Sequence, residues 1–330
     1  MSVTWRPRLA EGTGPVLTVL VVLVVALAFT GSAYTEVTGY LALLKRAAPL
    51  VILAIGQYFV VVSGGFDLSV GSLVTAEVVI AARLINGDDG NIAWVVPLLF
   101  GFGLLVGLVN GLITTKLLVP SFIVTLGMLL ILDGAVFLWT GGAPRGDLTP
   151  SFRVLGRGSA DLPIAGQVPW SVLILTAVLM GAALFMRSGK GRTLVAVGDN
   201  EETVRLAGGR VDRLHLLAFV LSGLLAALAA ILLAGFAGVS AQVGRGLEFR
   251  AITAVVLGGV LLGGGRGSVV AAAAGGVSLE ALFSLLHLVG VSGGLESAVQ
   301  GVIIIAAIAY AAHGAGLRRL LRLHKPEPVT

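Results

Sequence analysis

The feature that most limits what this chain can fold into is a series of apolar runs, each about as long as a bilayer is thick. They fall at about 15–34, 47–63, 68–87, 92–115, 120–140, 167–186, 214–239, 249–264, 267–290 and 294–313. A helix needs roughly 20 apolar residues, rising 1.5 Å each, to cross the hydrocarbon core. Lipid offers the backbone no hydrogen bonds, so such runs must satisfy their own as helices. The expected fold class is all-α: a polytopic integral membrane helical bundle of about ten transmembrane helices. The runs at 47–87 and 249–290 are nearly continuous, which leaves their internal boundaries soft.

Composition excludes the soluble alternatives. Hydrophobic residues make up 57% of the chain and charged residues 12%, against about 25% charged in an ordinary globular domain. The net charge of +5 does not indicate nucleic acid, because the basic residues flank apolar runs and form no basic domain. With no cysteine in the chain, disulfides, cysteine nucleophiles and thiolate metal sites are excluded. His215, His287, His313 and His324 show no ligand spacing, and neither H-E-x-x-H nor G-x-S-x-G occurs. No catalytic residue, metal site or cofactor is therefore expected. No G-x-x-x-x-G-K-[ST] loop is present, so energy must come from another chain or from an ion gradient.

Residues 1–330 read as a single transmembrane domain, with a multi-pass location in a bacterial-type plasma (inner) membrane. Ala26-Leu27-Ala28 in the first run resembles a cleavage site, but nine further spans favour an uncleaved first helix. Placing both termini in the cytosol puts fourteen of the 22 basic residues inside, including six between 187 and 213. Segments 1–14, 187–213 and 314–330 are then cytosolic. The Gly- and Pro-rich segment 141–166 lies outside, where its composition predicts an irregular loop.

Three motifs carry most of the remaining information. In AVGDNEETVRLAGGRV at 196–211, Asp199 is expected to cap a short helix, with Glu202 completing a capping box. Glu201 and Glu202 suit the first turn, and Gly208-Gly209 supplies a left-handed stop. Helix chemistry alone favours a self-capped, solvated connector over a docking helix. In VVSGGFDLSVGS at 61–72, Gly64, Gly65, Asp67 and Gly71 form a helix break or gate, with Asp67 either functional or resting at a helix end in headgroups or water beside Ser69. Gly264, Gly265 and Arg266 form a similar break. The rows Gly103, Gly107, Gly111 and Gly259, Gly263, Gly267 fit close helix packing. Glu77, Asp133 and Glu280 fall within spans, where isolated acids either bind cations or pair across a bundle. Gln57, Asn110 and Gln300 either contact a polar solute or bond between helices.

Five segments in order resemble permeases of the ribose/xylose branch of ATP-binding-cassette importers: SGGFDLSVGS at 63–72, GLVNGLITTKLLVPSFIVTLGMLLILDG at 107–134, VGDNEETVRLAGG at 197–209, LSGLLAALAAILLAG at 221–235 and GLEFRAITAVVLGGVLLGGGRGS at 246–268. The resemblance implies a fold similar to type II importer permeases such as those for cobalamin, and import of a small polar solute, with a monosaccharide such as ribose or xylose as the expected cargo. It also implies three kinds of partner beyond the lipid bilayer: two cytosolic ATPase subunits, an extracytoplasmic sugar-binding protein, and a second permease copy or paralogue. Gly198, Asp199, Asn200, Glu201, Glu202, Arg205 and Gly208 correspond to the segment that couples to the ATPase. Phe66, Glu77 and Asp133 depart from the usual family residues. The alternative is an ion-coupled secondary transporter using Asp67, Glu77, Asp133 or Glu280.

Overall fold

The computed structural model describes residues 36–163 and 166–288, with short pieces between 21 and 26 and between 290 and 305. The predicted first and last spans, the N-terminal segment and the C-terminal tail lie wholly or largely outside the described residues. Between residues 36 and 288 the described chain forms eleven α-helices in order: α1 (Val37–Val62), α2 (Val70–Ile85), α3 (Ile92–Lys116), α4 (Ser121–Thr140), α5 (Pro150–Arg157), α6 (Trp170–Arg187), α7 (Gly189–Asp199), α8 (Glu201–Leu206), α9 (Val211–Ala237), α10 (Leu247–Leu257) and α11 (Val269–Leu288).

Among the described residues, six helices are long and apolar enough to cross a membrane: α1, α3 with its preceding 3-10 turn, α4, α6, α9 and α11. Two of the predicted runs form shorter helices. α2 has 16 residues and α10 has 11, about 24 Å and 17 Å of rise. Both fall inside the nearly continuous apolar stretches, where composition alone could not mark the ends. Asn86 in the left-handed region stops α2, and the Gly258 turn stops α10.

The bundle is organised on α1 and α9. Every residue of α1 from Ala47 to Val62 is buried, as expected of a helix that is apolar all round. α9 packs against α1 and, most extensively, against α3, and small residues explain how close that crossing is. A Cβ on Gly103 would stand 2.4 Å from the carbonyl oxygen of Gly223, and one on Gly107 would stand 2.4 Å from that of Phe219. Gly111 faces Leu216 one turn further on. Backbones approach this closely only where side chains are absent. α11 closes the other side against α1 and α10. α4 and α6 present apolar side chains outward, among them Leu130, Ile131, Leu138 and Leu184, as lipid-facing helices should.

The segment expected to be an irregular loop at 141–166 contains regular structure. Thr149 Oγ1 accepts from Phe152 N at 3.3 Å and Pro150 occupies the first turn, a favourable start for α5. Strand Ser159–Leu162 then pairs antiparallel with Gly166–Pro169. Gly259, Gly263 and Gly267 do not form a helical packing row. They lie in the turn between α10 and α11, with Gly259 and Gly267 at positive φ.

Candidate functional site

The segment 187–213, read from sequence as a loop holding one short helix, contains two. α7 is capped by Ser188, whose hydroxyl accepts from Gly191 N at 3.3 Å. α8 is capped by Asn200, whose Oδ1 accepts from Thr203 N at 2.9 Å. The cap is therefore Asn200 and not Asp199, and the expected capping box with Glu202 does not form. Asp199 is the last residue of α7, whereas Asn200 has the extended backbone (φ −159, ψ 97) that an N-cap requires. Gly208 follows α8 at φ +81, and the amides of Gly208 and Gly209 return to the carbonyls of Arg205 and Val204.

α8 projects from the bundle. Glu201, Glu202 and Arg205 are exposed, and Leu206 is 80% exposed although apolar. Arg205 braces the helix: its guanidinium bonds Glu201 at 2.7 Å and reaches Asp212 of α9 at 3.4 Å. The Glu201 hydrogen bond raises the Arg205 pKa further above its already high value. Lys116 approaches Asp212 at 3.7 Å, linking the same point to α3.

Behind α7 the three glycine-bearing segments meet. Gly265 N donates to the Val62 carbonyl at 2.9 Å, joining the turn before α11 to the end of α1. Gly198 lies against both, since a Cβ there would stand 2.0 Å from Val62 O and 2.4 Å from Gly265 N. Gly264 faces Gly64 N and the Gly198 backbone, and Gly265 faces the backbone of Asp199. Arg266 is exposed beside this junction. Gly64 and Gly65 end α1, their amides returning to Val61 O and Val60 O at 2.9 Å each.

Next to Gly65 lies a buried polar knot. Asp67 is 1% exposed, which corrects its placement in headgroups or water. Its Oδ1 accepts from Ser69 N at 3.0 Å and from Ser69 Oγ at 2.6 Å, while Oδ2 accepts from Ser222 Oγ of α9 at 2.8 Å. Asn110 Nδ2 of α3 donates to Ser69 Oγ at 2.9 Å. With its amide assigned so that nitrogen faces the carbonyl, Gln57 clasps the Asp67 backbone, nitrogen to carbonyl at 3.0 Å and oxygen to amide at 3.3 Å. Three donors on one carboxylate are what make its burial tolerable.

The other acids do not form a single cluster. Glu77 is fully buried near Gly103, and neither carboxyl oxygen has a hydrogen-bond partner among the described residues. Asp133 is exposed on α4 and Glu280 half-buried on α11. Gly71 faces the Glu248 carboxyl and the Gly244 carbonyl. Sequence inspection had not singled out Ser222 or Glu248. Ser222 adjoins Gly223 within the 221–235 motif, and Glu248 is an acid two residues before a basic one at the head of an apolar run.

Residues 39–308 match the family described as the branched-chain amino acid transport system / permease component. The chain belongs to this family. The ribose import permease protein RbsC of Escherichia coli (strain K12) is 32% identical over 295 residues, covering 88% of this chain and 91% of that protein. The autoinducer 2 import system permease protein LsrC of Escherichia coli (strain K12 / DH10B) is 33% identical over 297 residues, 89% of this chain and 85% of the relative. LsrC of Enterobacter sp. (strain 638) is 36% identical over 259 residues, 78% and 74% respectively. No solved structure matches the chain. The resemblance to monosaccharide-importer permeases drawn from the five ordered segments is borne out by these matches, and the chain is a multi-pass membrane permease.

Proposed function

We propose that this chain is the membrane-spanning subunit of an ATP-binding-cassette importer, one domain over its whole length, carrying a small polar solute of the monosaccharide class. The relatives are named for ribose and for autoinducer 2 import, and a pentose or hexose such as ribose or xylose is the solute to test first. ATP hydrolysis belongs to separate cytosolic subunits, solute capture to an extracytoplasmic binding protein, and the pathway to a pair of permeases. Both termini lie in the cytosol, in line with the inward bias of Lys and Arg.

The observation that carries this reading is the pair α7–α8: an exposed, self-capped and braced helical projection backed by the glycine junction. A solvated connector needs neither an exposed Leu206 nor a backbone-tight seat. Such a helix suits a groove in a partner, and the 197–209 segment is the part of the chain that resembles the ATPase-coupling segment. The test is reconstitution in liposomes. The chain alone should hydrolyse no ATP, and import should require the ATPase and the binding protein. Gradient-driven uptake by the chain alone would establish the ion-coupled alternative, which the Glu77 carboxyl, buried without a hydrogen-bond partner among the described residues, favours.

A further inference from the structure

Three chain segments meet at the end of α7, where the nearest atoms are backbone apart from the Asp199 Cβ against Gly265. The end of α7 at Gly198, the end of α1 at Val62 and the turn at Gly264–Gly265 touch backbone to backbone, tied by the Gly265 N–Val62 O hydrogen bond. A second link joins the same partners, Tyr58 Oη of α1 donating to Gly267 O at 3.4 Å. Side-chain contacts have rotameric slack, so one surface can shift while its neighbour repacks. A backbone contact that a single methyl would close has none.

We infer that Gly198, Gly264 and Gly265 form a transmission joint, through which displacement of α7 moves the end of α1 and the turn before α11 as one body. This rests on the proposal that α7–α8 faces the ATPase. Val62 leads through Gly64–Gly65 into Asp67, which is hydrogen-bonded to Ser222 on α9 and, through Ser69, to Asn110 on α3. The 258–268 turn feeds directly into α11. One movement at the joint therefore reaches α1, α2, α3, α9 and α11 together. Gly198 is a positioning residue in this scheme. It lies behind the docking face and lets the face and the bundle share a backbone seat.

The test uses the complex reconstituted with its ATPase and binding protein. Gly198→Ala should keep insertion and ATPase binding close to wild type, while solute imported per ATP hydrolysed falls at least about tenfold, the equivalent of 1.4 kcal/mol in coupling. Gly189→Ala on the same helix, where an added side chain meets open space, should leave that ratio unchanged. Wild-type coupling by Gly198→Ala overturns the inference, and so does loss of ATPase binding, which would make Gly198 a docking residue. An independent measurement needs no perturbed joint. The chain has no cysteine, so spin labels on Ala196→Cys and Gly263→Cys report the α7-to-turn distance. That distance should be the same in nucleotide-free and nucleotide-trapped complexes, while the distance from Ala196→Cys to Leu155→Cys changes. A 196–263 distance that changes as much as the reference pair refutes the joint. Leu206→Asp separates the underlying reading: if it leaves ATPase binding intact, α7–α8 is not the docking element, whatever the labels show.

Discussion

The short helix α8 gives the sharpest test of the docking proposal, because its stability can be removed without touching the bundle. It has six residues, well below the length at which a helix is stable in water by itself. Its cap, its stop and the Arg205 brace therefore hold it together. Asn200→Ala removes the side chain that accepts from Thr203 N, at a cost of about 1 kcal/mol. Gly208 stands at φ +81, and a β-branched valine there costs about 1–2 kcal/mol. The double variant loses about 2–3 kcal/mol locally, enough to melt α8. The spans should not respond, since α8 meets the rest of the bundle chiefly through α7 and the start of α9. Membrane yield and the melting temperature in detergent should stay near wild type, while capture of purified ATPase by the solubilised chain falls sharply. Asp147→Ala, in the segment before α5 and outside the α7–α8 projection, supplies the control, and binding should persist. Undiminished capture by the double variant, or an equal loss from Asp147→Ala, would refute the proposal.

Further expectations concern the bundle. Gly223→Ala places a Cβ about where the Gly103 carbonyl stands, 2.1 Å away, and should strongly lower the melting temperature, whereas Gly127→Ala, which meets open space, should not. Ser222→Ala leaves Asp67 Oδ2 without its hydroxyl donor and should cost about 1–3 kcal/mol, read as a fall in melting temperature. Thr176→Ala, whose hydroxyl returns to Val172 of its own helix, should change little. Accessibility reporters at Arg157 and Arg192 should respond from opposite sides of the membrane, with Arg192 in the cytosol. The same compartment for both would overturn the orientation.

The membrane class and the long helices were legible in the sequence. The runs at 92–115, 120–140, 167–186, 214–239 and 267–290 correspond to α3, α4, α6, α9 and α11 within a few residues, and 47–63 is the buried part of α1. Hydropathy and helical hydrogen bonding are local properties, so a window of residues decides them. Local chemistry also marked a short helix before Gly208, but it misplaced the cap by one residue, because Asp and Asn are equally good caps and only the backbone tells which is extended. It could not show the second helix, α7, whose glycines lower its intrinsic propensity.

Tertiary structure alone decided which partners the buried polar groups and the glycines would have. Asp67 and Ser222 are 155 residues apart, and nothing near either one names the other. Gly198 and Gly265 read as a connector residue and a turn residue, and become one joint only when the ends of α1, α7 and the 258–268 turn converge. Each such pairing depends on how whole helices cross, and a crossing is set by the fit of all the side chains along it at once.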